Sequence, residues 1–143
     1  MTIIRDILND KGDVIHAIAP GATVFEAIEK MATYGIGALI VTDNGRMVGI
    51  VCERDYARKV ILQGRSSIKT PVRDIMTSEV ICIGLNQTVD EGLSVMTQCM
   101  IRHLPVLEDG RLKGIVSIGD LVKAKIAEQE FTIEQMALYV QGN

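Results

Sequence analysis

The chain has 143 residues, which suits one ordinary domain or two small units sharing a core. Hydrophobic residues make up 48% of it and charged residues 23%, a balance that supports a packed core and excludes general disorder. A net charge of −3 with three Tyr, two Phe and no Trp excludes the basic, ring-bearing surface that nucleic acid requires.

In chain order, the opening "MTIIRDILNDKGD" carries charges where a signal peptide needs an apolar stretch, and no apolar run approaches the roughly 20 residues of a membrane span. A cytoplasmic protein without a membrane partner is expected. The apolar run "VIHAI" then predicts a buried strand. "TVFE" at Thr23 is a capping box that starts a helix with Ile28 and Met31 at helical spacing. "ALIVT" and "MVGIV" predict two strands joined by "DNGR", whose Asn-Gly pair supplies the positive φ of a tight hairpin. "ERDYARKVIL" predicts a second helix.

The same order then recurs. Residues 23–61 laid over 88–126 at a constant offset of 65 are identical at 14 of 39 positions. The second copy reads "VICIG" as strand, "TVDE" as capping box, "LPVLE" and "LKGIV" as strands around "EDGR", and "IGDLVKAKIA" as helix. The fold expected is therefore α/β (α+β): tandem β-α-β-β-α repeats, packed about a pseudo-two-fold axis because a unit of about 60 residues buries too little surface alone. The polar stretch "QGRSSIKTPVRDIMT" marks the boundary, placing the repeats at 10–66 and 72–130. A separate helix is expected over 131–143, capped by Thr132 and presenting Ile133, Met136, Ala137 and Val140 on one side.

Asp55 and Asp120 occupy equivalent positions just inside a predicted helix start, after a strand. A carboxylate there is stabilised by the helix dipole without any ligand, and Ser117 with Asp120 also fits a capping box. The same junction offers free amides and a carboxylate to a phosphate and a diol together. Arg54 and Arg58, four apart on a helix start, either await an anion or splay into solvent. Arg102 and His103 stand where the first copy has Gly37 and Ala38, and Arg offers a fork suited to phosphate. Cys52, Cys82 and Cys99 show no ligand spacing, so reduced thiols and no metal are expected. No nucleophile–base order, paired carboxylates or phosphate-binding glycine loop is present, so no enzyme is expected.

The tandem repeat, with "GIVCERD" and "GIVSIGD" at the strand-to-helix junctions and "RHLPV" at Arg102 to Val106, resembles the CBS domain family, two copies of which form a pair often called a Bateman module. It looks like the stand-alone bacterial pairs. The resemblance implies a regulatory, non-catalytic module binding an adenine-containing ligand, with AMP, ATP or NAD foremost, in the cleft between the repeats. In that family pattern the Asp holds ribose hydroxyls and a Thr or Ser meets phosphate, which maps onto Asp120 and Ser117 with Gly114 and Ile115. In the first copy it maps onto Asp55 with Gly49 and Ile50, where Cys52 replaces the hydroxyl. Thr77 in "DIMT" lies where the family contacts ligand, and it is read with the second copy beside Arg102, His103, Ser117 and Asp120. Unequal sites, a homodimer and an unidentified target protein are expected. The competing expectation is a dimeric interaction scaffold without effective ligand binding.

Overall fold

The computed structural model describes residues 1–141. In chain order its elements are α1 (Ile4–Lys11), β1 (Ala17–Ile18), α2 (Val24–Tyr34), β2 (Ala38–Asp43), β3 (Arg46–Cys52), α3 (Glu53–Tyr56), β4 (Ile83–Gly84), α4 (Val89–Cys99), β5 (His103–Glu108), β6 (Arg111–Ser117) and α5 (Ile118–Val140). They form two compact units: Ile15–Val80, and Met1–Val14 together with the chain from Ile81 onward.

Each unit holds a three-stranded sheet in sequence order, the first strand parallel to the second and the second antiparallel to the third. The hairpins close as the Asn-Gly and Asp-Gly pairs dictate. Asp43 pairs with Arg46 and Glu108 with Arg111, and the two residues between them have positive φ in both copies: Asn44 52° and Gly45 76°, Asp109 52° and Gly110 76°. Two consecutive positive φ values define the type I′ turn, whose twist matches that of paired strands. A register shift also recurs at Val41/Thr42 and Val106/Leu107. The first strands are shorter than expected, two residues each, and the turn in which the Ala22 amide donates to the Ala19 carbonyl ends β1 just before Pro20 and Gly21.

Both predicted capping boxes form. The Glu26 amide donates to Thr23 Oγ1 at 3.1 Å and the Thr23 amide to Glu26 Oε2 at 3.2 Å; the Glu91 amide donates to Thr88 Oγ1 at 3.0 Å and the Thr88 amide to Glu91 Oε1 at 3.3 Å. Each helix buries one face against its sheet. Val24, Ala27 and Met31 meet Leu39, Val41 and Val51 in one core, while Val89 and Met96 meet Leu104, Val106, Val116 and Leu121 in the other. Each fully buried aliphatic side chain contributes about 1.5–3 kcal/mol.

The segments that complete the two cores repeat as well, at an offset of 68. The Val24 amide donates to the Thr70 carbonyl and the Val89 amide to the Thr2 carbonyl; Thr23 bridges Pro71 and Thr88 bridges Ile3. A Cβ on Gly49 would strike Met76, and one on Gly114 would strike Leu8. Residues 2–8 thus complete the second copy, and 70–76 complete the first.

The expected separate helix over 131–143 is not separate. Residues 142 and 143 lie outside the described residues, and α5 runs unbroken from Ile118 to Val140. Thr132 is not a cap: its hydroxyl donates back to the Glu128 carbonyl at 3.1 Å, a bond made inside a continuing helix. Among the described residues no helix is long and apolar enough to cross a membrane.

Candidate functional site

In the second unit, β6 ends at Ser117, whose extended backbone (φ −99°, ψ 165°) turns directly into α5. The Asp120 amide donates to Ser117 Oγ at 3.1 Å, and the Ser117 amide donates to Asp120 Oδ2 at 2.8 Å. The start of β5 forms the other side of this corner. The Ile118 amide donates to the Arg102 carbonyl at 2.8 Å, and His103 lies opposite Ser117 in the antiparallel register. Arg102, His103, Ser117 and Asp120 are therefore gathered at one junction, as the repeat alignment expects.

A residue that the sequence did not single out joins them. Lys11, in the last turn of α1, donates from Nζ to Asp120 Oδ2 at 2.7 Å and to the Ile115 carbonyl at 3.1 Å. The Asp120 side chain is 25% exposed. Burial pushes its carboxyl up, but the Lys11 ammonium and the Ser117 amide together outweigh that and hold it below the ordinary carboxylate range. The group is an anion at neutral pH, ready to accept hydrogen bonds.

The first unit builds the same corner from different parts. The Glu53 amide donates to the Gly37 carbonyl at 3.0 Å, and Ala38 pairs with Cys52. The Cys52 amide and thiol both donate to Asp55 Oδ2, at 2.9 and 3.3 Å. Lys59 reaches Asp55 Oδ1 at 3.1 Å and also donates to the Ile75 carbonyl at 2.8 Å. Burial, with the adjacent Asp55 charge, pushes the Cys52 thiol up, so it stays protonated and unreactive at neutral pH. Asp55 is the more enclosed carboxylate, its side chain 13% exposed. Arg54 lies half-buried on α3. Arg58 lies exposed on the helical continuation Ala57–Ile61, a π turn in which the Leu62 amide donates to the Ala57 carbonyl. Such turns inside α-helices are frequent at functional sites.

Thr77 differs from expectation. It was read with the second copy, yet its amide donates to the Ile50 carbonyl at 2.9 Å and its carbonyl accepts from the Ile50 amide at 3.0 Å, making it a short extra strand on β3 of the first unit. The cause is the crossed completion of the cores: the stretch preceding the second copy packs on the first. Lys59 carried a sequence signal, the four-residue spacing to Asp55 that lets helix side chains pair. Lys11 carried none near Asp120.

A groove of about 380 Å³ opens elsewhere in the second unit, lined by Arg5, Leu8, Asn9, Leu85, Glu108 and Lys113. Arg5 and Glu108 pair with each other at 2.9 Å, and Asp13 and Lys113 also line the groove. The groove includes none of the junction residues, and the junction, with its part-exposed anion at a helix start, is the stronger candidate.

A family model described as CBS domain matches residues 4–61 and 72–127. A CBS domain-containing protein of Arabidopsis thaliana, CBSX3, mitochondrial, is 38% identical over 99% of this chain and 73% of its own length. The structure of a putative signal-transduction protein with CBS domains from Burkholderia ambifaria superposes with a TM-score of 0.86 at 49% identity, covering 90% of this chain and 96% of that one. The CBS domain pair of protein MJ0100, solved in complex with 5′-methylthioadenosine and S-adenosyl-L-methionine, gives 0.79 at 27% identity, covering 90% and 98%. The chain belongs to the CBS domain family and is a CBS pair, a regulatory module.

Proposed function

We propose that this CBS pair is a non-catalytic sensor that binds an adenine-containing nucleotide, AMP, ATP or NAD, and signals by a change of conformation. The observation that carries this reading is the Asp120 junction: an ionised, part-exposed carboxylate and a hydroxyl at the start of a long helix, with Arg102 and His103 on the adjoining strand end. A ribose diol donates to such a carboxylate, and helix amides with an arginine suit a phosphate. The complex of a similar pair with two adenosine derivatives supports the ligand class. The first-copy residues Asp55, Arg54, Arg58 and Thr77 form a second, weaker position, because Cys52 offers a thiol where Ser117 offers a hydroxyl. A cytoplasmic location belongs to the same reading, supported by three cysteines that are odd in number and lack the spacing of a disulfide framework.

A thermal-shift panel of AMP, ADP, ATP, NAD, NADH and S-adenosylmethionine on wild type and Asp120→Ala tests this. At about 100 times its dissociation constant a ligand adds roughly 2.7 kcal/mol of stability. One or more nucleotides should raise wild type and leave the variant unmoved. A flat panel on folded protein overturns the sensor reading.

A second reading rests on α5. Phe131, Ile133, Met136, Leu138, Tyr139 and Val140 are all exposed, around the helix rather than on one stripe. Apolar surface of that extent favours a homodimer or a protein partner. Light scattering on wild type and Met136→Glu measures it: a monomeric wild type removes the dimer.

A further inference from the structure

The carboxylate on which the proposed site depends already holds a cation. Lys11 lies 109 positions from Asp120 in the chain and meets it at 2.7 Å. Its side chain is 37% exposed, on a long stem with rotatable donors.

Both copies pair this aspartate with a lysine, Lys59 in the first and Lys11 in the second, but the carbonyl beside it is satisfied differently. In the first copy the carbonyl of Ile50 is satisfied by a backbone amide, that of Thr77. The equivalent carbonyl, Ile115, accepts instead from the Lys11 ammonium at 3.1 Å, because α1 stays helical to Lys11 and supplies no strand there. A neutral donor suffices for a carbonyl. The shorter bond to Asp120 is the one that bears on the charge of the corner: with Lys11 the carboxylate is offset and Arg102 leaves a net positive charge, and without Lys11 Arg102 and Asp120 only cancel.

That charge decides which ligands are welcome. A ribose diol is neutral and donates to Asp120, whose Oδ2 already accepts from the ammonium and from the Ser117 amide, so at that oxygen the two compete. Without Lys11 a phosphate meets Arg102 beside an uncompensated carboxylate, and with Lys11 the carboxylate is offset and the phosphate gains a second charged donor it can engage directly. A ligand that takes the carboxylate releases the ammonium, and only a ligand with its own anion gives that ammonium a new partner.

We propose that Lys11 is a specificity-determining residue of the second-copy site, selecting phosphorylated adenosine ligands over uncharged adenosine and over cationic sulfonium derivatives. The proposal rests on the nucleotide-binding reading above and adds the residue that sets the preference for a phosphorylated ligand.

Titration calorimetry with AMP and adenosine on wild type, Lys11→Met, Lys11→Gln and Asp120→Ala tests it, each variant first shown to unfold cooperatively. Wild type should bind AMP at least about tenfold more tightly than adenosine. Lys11→Met should weaken AMP by roughly tenfold, the size expected for one charge-assisted bond, and leave adenosine unchanged or tighter, collapsing the preference. Lys11→Gln retains a neutral donor for the Ile115 carbonyl, so it should lose the preference with less effect on stability. AMP and adenosine responding by the same factor in both variants, or not at all, while binding still requires Asp120, overturns the role of Lys11 and leaves the sensor reading standing. Absence of binding to wild type, or binding indifferent to Asp120→Ala, overturns both.

Discussion

Asp55 and Asp120 are the same position of one repeat, each bonded to the amide of the residue three before it, and each held by a lysine from a different place. Lys59 comes from one helical turn further along the same segment; Lys11 comes from the far end of the sequence. The lysine bonds a carbonyl in both copies, Ile75 in one and Ile115 in the other. An anion at a part-buried helix start needs a counter-charge, and the chain supplies it twice without repeating the residue. Because the two solutions arose from unlike parts, the copies are equal in fold and unequal in chemistry: one carboxylate is enclosed beside a thiol, the other more open beside a hydroxyl.

The sharpest way to break the comparison is to load the close approach that both copies make. A Cβ on Gly49 would lie 2.7 Å from Met76 Sδ and 2.9 Å from the Thr77 carbonyl oxygen, which is backbone and cannot turn aside. On Gly114 it would lie 2.9 Å from Leu8 Cδ2, a side-chain end that can re-orient. Gly49→Ala should therefore cost about 2–3 kcal/mol and Gly114→Ala about 1 kcal/mol, read by urea denaturation. Equal costs would mean that Thr77 does not seal β3 as described.

A second test reads the Asp120 junction by acidity. Asp120 has its folded-state pKa depressed, so its contribution to stability is fully present above the ordinary aspartate value of about 3.9 and is lost as pH falls through the lower folded-state value. Asp120→Asn should be less stable than wild type at neutral pH, and the gap should narrow on acidification below about pH 4. A gap that stays constant across a pH series of denaturation curves removes the Lys11–Asp120 pairing as its source.

These contrasts show where the sequence was readable. Hairpins and capping boxes were legible because each is decided within four residues: Asn-Gly, Asp-Gly and the Thr–Glu pairs all act where they stand. The junction of Arg102, His103, Ser117 and Asp120 was legible because the offset of 65 aligned it with a simpler copy. Thr77 and Lys11 were misplaced or missed for one cause. The segments completing each core repeat at 68, so "RDIL" at Arg5 and "RDIM" at Arg73 fall out of step with the longer alignment, and each packs on the copy it does not precede. The length of α5 was hidden by Thr132 and Gln135, which look like a cap, although no Gly or Pro follows Gly119 before Val140 to stop a helix.

Cys52→Ser makes the first junction chemically like the second. A hydroxyl at that N-cap bonds a helix amide as Ser117 does, and the gain should be about 0.5–1 kcal/mol. Denaturation midpoints measure the gain, and an unchanged midpoint would show that the thiol already serves the cap. If the hydroxyl is also what separates the two sites, the variant should bind the second, weaker equivalent of nucleotide more tightly than wild type does in calorimetry.

The smallest effect is set at the ends of α2 and α4. Both helices stop at a left-handed residue, Gly35 (φ 65°, ψ 37°) in one copy and Met100 (φ 56°, ψ 43°) in the other. Glycine adopts that conformation freely, whereas a Cβ crowds the following carbonyl at a cost of roughly 1–2 kcal/mol. The Met100 side chain is 76% exposed, so little buried surface is lost with it. Met100→Gly relieves the strain but adds freedom to the unfolded chain, leaving a net gain of about 0.5 kcal/mol; the reverse exchange, Gly35→Met, should lose about 1 kcal/mol. A loss in Met100→Gly would mean that this methionine makes a contact worth more than its strain, and the second copy would then differ from the first at its helix end as well as at its carboxylate.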